Sequence, residues 1–167
     1  MQFEFKFQAE HLKQSLMALR HEVATPDQML GSLGEALLRV NQDRHEQGLA
    51  PDGTPWKELA ESTKKLKKGG RILYSRGDLL RFSYQITPDG LVLGTNDWKA
   101  AWHHFGTEPY TIRPVRAKAL KFGGIFTKRV NHPGLPSRKL IGFPDSDKQL
   151  AADVIHDHLL LTLNRVR

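Results

Sequence analysis

Leu30, Leu33, Leu37 and Val40 recur every three to four residues, behind Thr25-Pro26-Asp27-Gln28 and ahead of Gly48. That period is one face of an α-helix. Thr25 is placed as an N-cap, Pro26 suits a first turn whose N–H has no partner, and Gln28 is spaced to complete a capping box. Gly48 can close the helix by taking a positive φ. Start signal, apolar face and stop signal together predict a central helix, and the rest of the fold must cover its stripe.

The neighbouring segments divide between the two periods. Phe3, Phe5 and Phe7 alternate with Gln2, Glu4, Lys6 and Gln8, which predicts a strand with one apolar face. Leu12, Leu16, Leu19 and Val23 predict a short amphipathic helix before the central one. Pro51-Asp52-Gly53 reads as a turn. Trp56, Leu59, Thr63 and Leu66 suggest a further short helix, running into Lys64, Lys65, Lys67 and Lys68 and a Gly69-Gly70 loop. Residues 79–86 and 91–94 are spaced as a hairpin about Thr87-Pro88-Asp89-Gly90. Strands are also expected at 98–105, 119–122 and 125–130. Ser146 with Gln149 forms a second capping box, ahead of a helix faced by Leu150, Val154, Ile155, Leu159 and Leu163. This order predicts an α+β fold, a mostly antiparallel sheet with helices packed on one face. A length of 167 residues suits a single domain spanning 1–167.

Charge is segregated along the chain. The net charge is +7, but residues 57–81 hold eight basic and three acidic side chains, and residues 111–140 hold eight basic and none acidic. What remains is acidic. Two basic segments on an acidic scaffold favour a polyanion or an acidic partner surface. In 111–140, Tyr110, Arg113, Arg116, Lys118, Lys121, Phe122, Lys128 and Arg129 interleave aromatic and basic residues, as a phosphate-and-stacking surface would. DNA binding by these segments would be sequence-independent and salt-dependent.

Catalytic readings find little support. The absence of cysteine removes thiolate nucleophiles and Cys-ligated metals. Among eight histidines, His103 and His104 are adjacent, and on the strand expected at 98–105 they point to opposite faces. His156 and His158 stand about 200° apart around a helix. A histidine nuclease built on His103, His104 or His132 would need an acidic or imidazole ligand that no local motif supplies. No H-E-x-x-H, G-x-S-x-G, P-loop or dinucleotide fingerprint occurs. Neither catalysis, metal nor cofactor is expected. Without an apolar run of about 20 residues or a signal-peptide pattern, the chain is expected to be soluble and unexported.

Five motifs in order carry a resemblance. They are Pro51-Asp52-Gly53 with Trp56 and Leu59, Ile72-Leu73 with Gly77 and Leu79, Val92-x-Gly94-Thr95-Asn96, Ala100-Ala101-x-His103-His104-Phe105-Gly106, and Pro136-Ser137-Arg138 with Gly142. As a set, from about residue 30 onward, they resemble the bacteriophage virion morphogenesis family, which includes tail completion proteins of contractile-tailed phages and relatives in Mu-like prophages. The resemblance implies a structural protein of tail completion and head–tail joining. It would act in the host cytoplasm during assembly and at the tail end of the virion, as a homo-oligomeric ring docked on tail and connector proteins. One departure is that Lys139-Leu140-Ile141 follows Arg138 where the family commonly has Pro-Phe; Leu140 can supply some of the lost apolar contact, and a docking surface built on that motif would differ. Residues 110–134 resemble the longer middle segments of some members and are expected to be an inserted hairpin. On this reading Asp52, Gly53, Trp56, Gly77, Gly94, His103, Phe105 and Gly106 make the fold. Lys64, Lys65, Lys67, Lys68, Arg113, Arg116, Lys118, Lys121, Lys128, Arg129 and Arg138 are candidates for the interface, with non-specific DNA contact as an alternative use and no membrane partner.

Overall fold

A computed structural model describes residues 10–67, 71–74, 81–122 and 124–165. Among these the order is α1 (Glu10–Ala24), α2 (Asp27–Gln47), α3 (Glu61–Leu66), β1 (Phe82–Thr87), β2 (Gly90–Thr95), α4 (Lys99–Phe105), β3 (Tyr110–Ile112), β4 (Leu120–Phe122), β5 (Ile125–Thr127), β6 (Val130–His132) and α5 (Asp145–Arg165). The class is α+β. The strands form three two-stranded ladders, β1 with β2, β3 with β6 and β4 with β5. The strand expected at residues 3–7 lies outside the described residues, as do Lys68 and Gly77. Among the described residues no helix is long and apolar enough to cross a membrane.

The chain divides into two compact units, each built from separated segments. The first comprises Met1–Val40, Phe82–Gly94 and Phe143–Arg167. Its core is Leu33 and Leu37 of α2 with Ala151 of α5, joined by Leu91 and Leu93 of β2 and by Leu150 and Val154 of α5. Leu91 and Leu93 face inward by the period of two, while Val92 between them is exposed. The two-residue Pro88-Asp89 connection makes β1–β2 antiparallel. Two helices therefore cover one face of a hairpin, which is the expected packing on a smaller sheet. Gly34 lets the Tyr84 ring lie against α2, since a Cβ there would meet ring atoms at 2.5–2.7 Å. The Tyr84 hydroxyl donates to Glu35 Oε1 at 2.9 Å, and this bond raises the Tyr84 pKa above its ordinary value. One to two turns further along α5, His158 Nε2 lies 2.8 Å from Glu22 Oε2 and ties α5 to α1.

The second unit comprises Asn41–Arg81 and Thr95–Gly142. It begins with the end of α2, which closes as expected: Gly48 takes φ 73°, and Gly48 N–H and Leu49 N–H donate to His45 O and Arg44 O. This is the doubly bonded glycine stop of a Schellman motif. Pro51-Asp52-Gly53 then turns the chain, with Gly53 at φ 83°. Asp52 Oδ1 accepts both the Thr54 N–H, at 3.0 Å, and the Thr54 hydroxyl, at 2.6 Å. Those two bonds hold the Asp52 carboxyl below its ordinary pKa.

Four expectations are corrected. Residues 99–105 are a helix, not a strand: Asp97 Oδ1 accepts the Lys99 N–H at 3.0 Å, and Gly106, at φ 78°, ends the helix by donating to Trp102 O. Asp97 thus supplies a start signal and Gly106 a stop signal, and together they set a helix in place of the expected strand. Thr25 does not cap α2, because its hydroxyl donates back to His21 O of α1 at 2.9 Å. Ser146 lies inside α5, where Pro144 O accepts the first N–H bonds, from Asp147 and Lys148. The helix expected from Trp56 is confined to α3, and Trp56 itself sits in an extended segment before it.

Candidate functional site

The second unit is fastened by a clasp in which Arg138 is the central residue. Arg138 is 5% exposed. Its Nε donates to Lys57 O at 2.9 Å and its Nη2 to Glu58 O at 3.0 Å. Its own N–H donates to His103 O at 2.7 Å. The flanking residues repeat the pattern: Ser137 Oγ donates to His104 O at 2.7 Å, Leu140 N–H to His104 Nδ1 at 3.2 Å, and Trp56 Nε1–H to Lys139 O at 2.9 Å. One short loop thus holds both the segment after the Asp52-Gly53 turn and the end of α4. Arg138, expected at an interface, is a fold-making residue turned inward. Leu140, two residues on, is buried.

Burial sets the protonation of the clasp. His45 packs edge-on against Trp56, with ring centroids 5.0 Å apart. Desolvation pulls the His45 pKa down to about 4. His103 is lowered by desolvation and then by the Arg138 charge, and His104 by desolvation and then by Lys139. His104 uses Nδ1 as an acceptor, so the neutral ring carries its proton on Nε2. Along α4, His103 and His104 point about 100° apart and not to opposite faces.

The clasp fixes one side of α4 and leaves the other exposed. Ala100 is buried and His103 and His104 are half-buried, whereas Trp98 is 67%, Trp102 51% and Phe105 78% exposed. These three aromatics stand at i, i+4 and i+7, one helical face. Trp98 and Trp102 meet edge to face with centroids 4.6 Å apart. Lys99 beside them pairs with Asp97 at 3.3 Å, so that cation is already matched. Phe105, expected to make the fold, belongs to this exposed face. Trp98 and Trp102 were not among the sequence candidates. The Asp97 start and Gly106 stop would have found them, because a helical reading alone places all three aromatics together.

The basic candidates separate into committed and exposed groups. Lys64 bridges Glu58 at 2.7 Å and Glu61 at 2.9 Å, and these bonds raise its pKa. Lys67 Nζ donates to Arg71 O, and its pKa is lowered by desolvation and then by the Arg138 charge. Lys65 is exposed. Arg113, Arg116, Lys118, Lys121, Lys128 and Arg129 are all exposed on the segment from β3 to β6. Gly106 joins that segment to α4: Thr107 and Leu135 exchange backbone hydrogen bonds, and a Cβ on Gly106 would meet Leu135 O at 2.7 Å. Gly94 is half-buried at the end of β2.

The model of the phage virion morphogenesis family matches residues 7–160 of the chain. No curated protein and no solved structure matches it significantly.

Proposed function

The chain belongs to the phage virion morphogenesis family, and from that membership we propose that it completes the tail and joins it to the head by docking on other virion proteins. The observation that carries this reading is the aromatic face of α4. Three large aromatics at 51–78% exposure on one short helix form an apolar patch that water covers poorly. Trp is among the residues that dominate protein interfaces when a partner encloses it. The clasp holds the backbone of α4 at His103 and His104, which lowers the ordering cost of docking. The occupant that fits is a neutral, apolar socket on a tail or connector subunit. The mechanism is binding and not bond-making, and a head-to-tail ring of copies at the end of the tail suits such a patch.

The test is electron microscopy of a lysate whose parent phage or prophage carries a stop codon at Trp56, with plasmid complementation. Filled heads beside unattached or irregularly long tails, rescued by the wild-type plasmid, are expected. Normal infectious particles from the stop mutant would overturn the reading. A plasmid carrying Trp98→Ala with Trp102→Ala is expected to restore protein level but not joined particles.

A further inference from the structure

Residues 110–122 and 124–132 form a ribbon with two successive antiparallel ladders. Tyr110 pairs with His132 and Ile112 with Val130 at the base, and Leu120 pairs with Thr127 and Lys121 with Phe126 toward the tip. The return limb is kinked between its strands, where Thr127 Oγ1 donates to Arg129 O at 2.8 Å and accepts the Arg129 N–H at 3.3 Å. Arg113, Arg116, Lys118 and Lys121 are exposed on the outgoing limb, and Lys128 and Arg129 on the return limb. No Asp or Glu occurs from residue 109 to 144, and among the described residues none of these six cations pairs with a carboxylate. This contrasts with Lys64, which is held by two.

The tip adds a second observation. Lys121 and Phe126 share one face, with the ammonium 5.8 Å from the ring centroid. Ile125, one residue earlier on the strand, therefore faces the opposite side. Both Ile125 and Phe126 are 70% exposed. An occupant lying on one face would leave the other wet, so the tip is shaped to be enclosed from both sides.

We propose that this ribbon enters a groove of duplex DNA without reading sequence, its cations meeting phosphates and Ile125 and Phe126 pressing on the bases at the tip. A two-stranded ribbon fits between the walls of a DNA groove. Those walls are phosphate on both sides, and the ribbon carries cations on both limbs. Three of the six cations are lysines, a type depleted at protein–protein interfaces, and both lysine and arginine are standard phosphate contacts. Apolar wedges beside such cations unstack base steps and bend the duplex. The inference does not depend on tail completion, because it uses side chains distinct from the α4 face.

The test uses the full chain and a random-sequence duplex of ~30 bp with a fluorophore at each end. Wild-type affinity should fall about 10³-fold between about 50 and 200 mM salt if all six cations meet phosphates. Replacing Arg113, Arg116, Lys118 and Lys121 with Ala should flatten the log–log salt slope to about a third. Ile125→Ser with Phe126→Ser should keep the slope, weaken binding about tenfold and abolish the change in end-to-end energy transfer. Far-UV circular dichroism should be unchanged in both variants, since the altered side chains are exposed. Absence of wild-type binding at low salt, or a four-cation variant that binds as wild type does, would overturn the proposal. A tip variant with wild-type affinity and energy transfer would overturn groove insertion. If neither variant joins tails from the Trp56-stop lysate and no protein binds duplex, the ribbon belongs to an acidic protein surface and the DNA assignment fails.

Discussion

Arg138 shows how one residue can look like a contact and act as a joint. In sequence it is the late arginine of a basic stretch, but the side chain is buried and its guanidinium donates to two backbone carbonyls. Arg138→Ala removes both bonds and leaves Lys57 O and Glu58 O short of donors, at an expected cost of about 3 kcal/mol, read as a lower denaturant midpoint. Arg138→Lys keeps the charge without the two-pronged geometry and should lose an intermediate amount. His45 makes the same unit acid-sensitive. Its folded pKa is about 4 against 6.5 for the free side chain. Below pH 6.5 the unfolded chain takes up a proton that the folded chain refuses until about pH 4, so stability falls with pH through that window. The loss is up to about 3 kcal/mol. His103 and His104 shift in the same direction. Equilibrium unfolding followed from pH 7 to pH 4 should show the decline, and His45→Gln should reduce it.

At the scale of the element, α4 depends on its ends. Gly106 holds φ 78°, and its hydrogen faces Leu135 O where a methyl would stand 2.7 Å away. Gly106→Ala should therefore cost more than the ~1 kcal/mol of a strained left-handed residue, because it also forces the Thr107–Leu135 bridge apart. Thermal melting would show it; a loss under 0.5 kcal/mol would mean the bridge gives way freely. The opposite outcome is expected on the outer face, where Trp98→Ala should leave melting nearly unchanged and act on particle joining alone. Gly34→Ala tests the other unit, because a methyl there meets the Tyr84 ring. The overpacking should cost about 1–3 kcal/mol. The element read as a strand was legible in principle: Asp97 and Gly106 bracket a run that includes Ala100-Ala101, and local helix signals of that kind outrank aromatic β-propensity when both ends are marked.

For the whole molecule, family membership and segregated charge point to one assembly protein with two kinds of surface, an apolar face on α4 and a cationic ribbon. The amino-acid order alone determined the helix periods of α1, α2 and α5, the glycine stop at Gly48, the β1–β2 hairpin, the α+β class and the carboxylate-free stretch from 109 to 144. Each of these rests on neighbours within a few residues, where backbone hydrogen bonding and side-chain period are set locally. Which face of α4 stays exposed, the inward turn of Arg138 and the division of the cations were decided by tertiary structure. Lys64 is paired with Glu58 and Glu61, Arg138 donates to carbonyls about 80 residues away in the chain, and among the described residues the ribbon cations pair with no carboxylate. Whether a charged or aromatic side chain is a joint or a surface depends on which distant groups come within hydrogen-bond reach, and that distance exists only after the chain has folded.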